Sequence, residues 1–223
     1  MNKISIYILL ILLYLGFSKG TFSTFKDEFP LIANESAFSS YFKEQDPFSI
    51  ILLDYIETGF VIKTYIHKYK IIWPHGESQI VIARVSKEFF SKHMDNIGLS
   101  IFRKNSKNEE SFTPLPPFAM FVGDPFYGHW SGKGNKEWIF YPIYSHLVSS
   151  IGMGEIKINW ETYKKMQIYL LKNNPFYGLN NEFGTRGNLT KVMFKDYQFS
   201  KNIKDESFKD VLLKLIRNAP IGK

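Results

Sequence analysis

The 223-residue chain contains no cysteine. Disulfide staples, thiolate metal ligands and a cysteine nucleophile are thereby excluded. Long apolar runs are missing as well. The longest uncharged apolar stretch, Ile4 to Phe17, has 14 residues, whereas a membrane-crossing helix takes about 20. Blocks of like charge and nucleic-acid-binding motifs are also absent, which speaks against a nucleic-acid partner despite a net charge of +7. No H-E-x-x-H occurs, and "GHWSG" places Ser131 fourth rather than third, so neither a zincin site nor a nucleophile elbow is encoded. "GHWSGKGN" is one residue short of P-loop spacing and puts Gly134 where Ser or Thr is required. No cofactor is expected from these patterns.

What is present begins at the N-terminus. Lys3, the apolar run and Ser18-Lys19-Gly20 have the layout of a secretory signal peptide over residues 1–20, cleaved after Gly20. Left uncleaved, the same segment would hold the protein to a membrane as an N-terminal anchor. Removing Lys3 and Lys19 leaves 26 basic against 21 acidic residues, a charge of +5. That modest, dispersed excess permits weak contact with an anionic surface. Export without cysteine points to a bacterial periplasmic, envelope-associated or secreted protein.

Residues 21–223 are expected to form one α+β domain, mainly helical, with an exposed loop at 104–117, "KNSKNEESFTPLPP". The alternative is two small subdomains divided at that loop. Asp46-Pro47 and the apolar positions 51, 52, 55, 56, 62, 66 and 69 predict an amphipathic helix, bent at Gly59. The β-branched and aromatic "FVIKTYI" favours instead two strands meeting near Thr58-Gly59. A second helix is predicted from Gln79 to Met94, a buried strand at "FAMFV" (118–122), a helix from Ile143 to Gly152 and a strand at "EIKI" (155–158). Asn159 is placed to cap a helix from Trp160 to Lys172, and Phe208, Val211, Leu212 and Leu215 mark the stripe of a last one.

The tetrapeptide PFYG occurs at 125–128 and again at 175–178, each time after Asp or Asn. Both copies carry turn chemistry, and the flanking sequences do not align, so no repeat architecture follows. Around the first copy, Tyr127 and Trp130 offer aromatic faces beside Asp124 and His129, an acid and a base. Around the second, Tyr177 precedes "NEFGTRGNLTK", where Arg186 presents a fork suited to anions between Gly184 and Gly187. His129, Asp124 and His146 match no metal-ligand spacing, so no metal is expected. Two functions fit. The first is a non-catalytic exported protein that binds a glycan, peptide or envelope protein through Tyr127, Trp130 and Tyr177. The second is a secreted hydrolase with Asp124 and His129 as acid and base and Arg186 as anion holder. Aromatic contact needs no strict spacing and none is encoded, which favours the first.

Overall fold

The structure, a computed structural model, describes residues 7–12, 29–42, 47–58, 63–154 and 156–194. Residues 7–12 are helical. Most of the signal-peptide reading, the predicted bend at Gly59 and the predicted last helix lie outside the described residues.

The chain is not mainly helical. The described residues are 28% helix and 29% strand, built on a curled six-stranded mixed sheet that forms a half-barrel, with a small second sheet and short helices. The large sheet has the order β1 (Leu31–Ile32), β4 (Ser78–Val85), β3 (Thr64–Ile72), β2 (Phe48–Thr58), β5 (Ser100–Lys104), β6 (Glu110–Ser111). Among the described residues only β1 and β4 pair in parallel; the other ladders of this sheet are antiparallel.

The predicted helix over 47–69 is therefore corrected to β2 and β3, the two-strand alternative. The reason lies in burial on both faces. Phe48, Ile50 and Leu52 enter one core while Ile51 and Leu53 enter the other. A strand covered on both sides reads as a continuous apolar run, and such a run satisfies helical spacing as easily as strand spacing. An irregularity in register between Leu52 and Asp54 blurs the alternation further. The helix predicted from Gln79 is corrected in the same way, since residues 78–85 form β4. Helix begins only after Ser86, whose Oγ accepts the Phe89 N–H at 3.1 Å and caps α2 (Lys87–Lys92).

Two cores flank the large sheet. On one face α1 (Glu35–Tyr41), capped by Asn34, brings Phe38 against Tyr69 and Phe102, and α2 adds Phe89 and Phe90. On the other face Ile51, Leu53 and Ile72 meet Phe118, Phe121, Leu147, Met166 and Phe176. "FAMFV" is not a strand. It runs as successive turns, with Phe121 and Val122 N–H groups both donating to the Phe118 carbonyl. Phe118, Phe121 and Val122 are buried, which is helical spacing rather than alternation.

Residues 156–158 likewise form no strand; Asn159 alone bridges to Glu137. The predicted 143–152 helix is split into a 3-10 turn (Pro142–Tyr144) and α3 (His146–Ser150). The α4 helix (Trp160–Leu171) matches its prediction, with the Asn159 side chain accepting the Thr162 N–H at 2.9 Å. The polar stretch 104–117 carries β6, folded back on β5, and its Leu115 is buried beside Ser100. A last short helix, α5 (Asn188–Met193), follows the Arg186 loop.

Candidate functional site

The small sheet is a hairpin of β7 (Gly128–Ser131) and β8 (Glu137–Phe140), with Trp130 directly opposite Trp138. Backbone bonds from Trp138 N to Ile158 O and from Trp160 N to Lys136 O dock the start of α4 along β8. That docking brings Trp160 and Tyr163, one turn apart on α4, against Trp130. Trp130 meets Trp160 edge-on with ring centroids 4.8 Å apart and lies 5.2 Å from Tyr163. Trp160 and Tyr163 stack at 5.4 Å, and Trp138 supports Trp130 from below at 5.1 Å. Trp130, Trp160 and Tyr163 stay half-buried, so each presents part of its ring to solvent.

Gly123 makes this arrangement possible. Its φ is +91°, and a Cβ there would stand 2.2 Å from the Tyr163 ring. Beside Tyr163 opens a cavity of about 390 Å³, its wall including Asn105, Glu109, Asp124 and Gln167. Amides, carboxylates and a ring edge in one concavity are the composition of a polar ligand site. Burial, and next the Asp124 carboxylate, raises the Tyr163 phenol above its ordinary range.

Each residue singled out in the sequence has a definite place. Trp130 is at the centre of the aromatic cluster. Tyr127 is buried against Phe121 and Tyr144. Burial first, then the Asp124 and Tyr144 oxygens, pushes its phenol up to about 12. Asp124 is exposed, and its Oδ1 accepts the Phe126 N–H at 2.9 Å, holding the turn. His129 is exposed and stacks on Tyr141 at 5.6 Å. Strand alternation places it on the opposite face of the hairpin from Trp130. Arg186 lies in a separate cavity of about 340 Å³ with Tyr177 and Asp95, its guanidinium 3.9 Å from the Asp95 carboxylate. The Tyr177 hydroxyl donates to Asn96 Oδ1 at 2.9 Å.

Among the described residues no hydrogen bond or ion pair joins Asp124, His129 and Arg186. His146 is elsewhere, with its Nε2 3.0 Å from the Pro74 carbonyl. No group of three or more His, Asp or Glu able to hold a metal occurs among the described residues.

Sequence reasoning missed Trp160 and Tyr163. Their signal was the i, i+3 spacing of two aromatic residues directly behind the Asn159 cap, which puts both on one helix face. Compared with family models, with curated proteins and with solved structures, the chain matches none.

Proposed function

We propose that this is an exported, non-catalytic binding protein of the cell envelope or exterior, and that its ligand docks on the Trp130, Trp160 and Tyr163 surface. The observation that carries this is the contact of three half-buried rings beside a polar cavity. Rings fixed by their neighbours lose little conformational freedom when a ligand stacks on them, so they bind the flat face of a sugar or a peptide side chain at low entropic cost. Export is supported by the layout of residues 1–20 and by the lack of cysteine. Among the described residues no helix is long and apolar enough to cross a membrane.

The hydrolase reading gains no support from the site, because the candidate base and acid lie without contact and the anion holder lines another cavity. The test is pull-down of the purified protein on isolated envelope glycans and peptide-bearing polymers, repeated with Trp160→Ala and Trp130→Ala. The expected outcome is retention by the wild type and a roughly tenfold or greater loss in both variants. Retention unchanged in both variants sinks the aromatic site.

A further inference from the structure

The cavity beside Tyr163 holds an unusual pair of charge environments. In its wall is Arg103, on β5, whose residue is 6% exposed. Nη1 donates to the Ser100 carbonyl and hydroxyl at 2.8 and 3.2 Å, and Nη2 to Ser111 Oγ and the Thr113 carbonyl at 2.9 and 2.6 Å. All four acceptors are neutral. Nε donates to nothing among the described residues, and no carboxylate forms an ion pair with the guanidinium. Burial accordingly lowers its pKa to about 9. A desolvated cation without a counter-ion attracts an anion strongly, because the surrounding dielectric screens it poorly.

The same cavity has three carboxylates, Glu109, Glu110 and Asp124. Each accepts a bond from a neutral donor: Asn105 Nδ2 at 2.7 Å, Ser39 Oγ at 2.6 Å and the Phe126 N–H at 2.9 Å. None has a cationic partner among the described residues, in a chain with seven more basic than acidic groups. A ligand with only negative charge would meet these acids, and one with only positive charge would meet Arg103. A small molecule carrying both charges satisfies the two together. The space, about 390 Å³, is at the small end of ligand pockets and suits a dipeptide. Met120 and Leu170 in the wall offer apolar contact to short side chains.

We infer that this cavity takes the zwitterionic end of a short peptide, its carboxylate over Arg103 and its ammonium among Glu109, Glu110 and Asp124. The inference rests on the proposed reading of this surface as a ligand site, and it names the ligand there as a peptide with free termini. The aromatic rings outside would then hold the remainder of a larger peptide-bearing ligand.

The experiment is calorimetric titration of the purified protein with Ala-Ala, N-acetyl-Ala-Ala and Ala-Ala amide. Ala-Ala is expected to bind at millimolar concentration or better, and either cap to weaken it roughly tenfold or more, because each removes one charge-assisted contact. Arg103→Gln could disturb β5, so the charge test uses Asp124→Asn, which keeps an oxygen for the Phe126 N–H and removes the negative charge. It should weaken Ala-Ala but leave the amide-to-acid preference intact. Equal binding of all three ligands, or no binding of Ala-Ala, overturns the inference. If polymer retention still depends on Trp160 in that case, the aromatic site survives without the zwitterion pocket; if it does not, both readings fall.

Discussion

The two PFYG segments share four residues and use them in opposite ways. In the first, Phe126 is 64% exposed and Tyr127 is 4% exposed. In the second, Phe176 is the buried one, at 2%, packed against Tyr169, while Tyr177 is half-buried with its hydroxyl on Asn96. The difference comes from what grips each backbone. Tyr127 donates to the Asp124 carbonyl at 3.0 Å and accepts from Tyr141 N at 2.9 Å, so it is drawn into the hairpin end above Phe121. Phe176 instead donates to the Pro114 carbonyl at 3.0 Å, and Tyr177 accepts from Phe183 N at 2.8 Å. Gly178 has φ +97°, whereas Gly128 starts a strand. The first copy makes a turn over 125–127, as its composition predicts, whereas 174–178 run without one, so the shared tetrapeptide fixes neither the turn nor which aromatic ring is swallowed.

The largest expected difference between the two segments is in acid. The second hangs on Asn96, whose Nδ2 donates to His93 Nδ1 at 2.9 Å. His93 stands beside His67, with ring centroids 6.3 Å apart, and His67 Nδ1 pairs with the Tyr69 hydroxyl at 2.9 Å. Burial lowers His67 to about 3, with His93 adding to the effect. Burial also lowers His93 to about 4, Lys92 reinforcing and Glu35 opposing. The unfolded chain binds these protons near 6.5 and the folded chain resists them, so the stability they confer is complete above pH 6.5 and is lost as pH falls toward 4. At about 1.4 kcal/mol per pH unit for each group, roughly 5 kcal/mol should disappear between pH 7.5 and 4.5. Urea midpoints at the two pH values measure it, and amide exchange should show the Tyr177 loop loosening before the Tyr127 turn. Equal midpoints would refute the two-histidine account.

Exchanging the buried partner gives the next effect. Phe176→Ala empties a core position and should cost about 3–5 kcal/mol. Phe126→Ala removes an exposed ring and should stay within about 0.5 kcal/mol. Similar losses in thermal unfolding for both would erase the asymmetry. The smallest contrast concerns the hydroxyls. Tyr177→Phe deletes the bond to Asn96 and should cost about 1 kcal/mol. Tyr127→Phe should be close to neutral, since its hydroxyl has no hydrogen bond among the described residues. A larger loss for Tyr127→Phe in urea unfolding would reverse the ranking.

Legibility in the sequence followed the range of the interactions involved. The α4 helix was readable because its cap, Asn159 to the Thr162 N–H, spans three residues. Strand β2 was not, because its pairing with β3 and β5 and its burial on two faces are long-range. The Ser86 cap was overlooked for a related reason, since the apolar positions of β4 ran into those of α2 without a break in spacing. At the candidate site Trp130 was legible as an aromatic on a turn-rich segment. Its partners Trp160 and Tyr163 sit some 30 residues on and meet it only because α4 docks along β8.

Composition and local chemistry by themselves determined the absence of disulfides, the α4 helix with its cap, and the turn at the first PFYG segment. Tertiary structure alone decided the curled sheet, the aromatic surface and the opposite orientations of Phe126 and Phe176. Caps and turns close within a few residues, where sequence neighbours are the partners. Which side chain faces the core is set by Tyr141 in one segment and Pro114 in the other, and those partners are chosen only when the chain has folded back on itself.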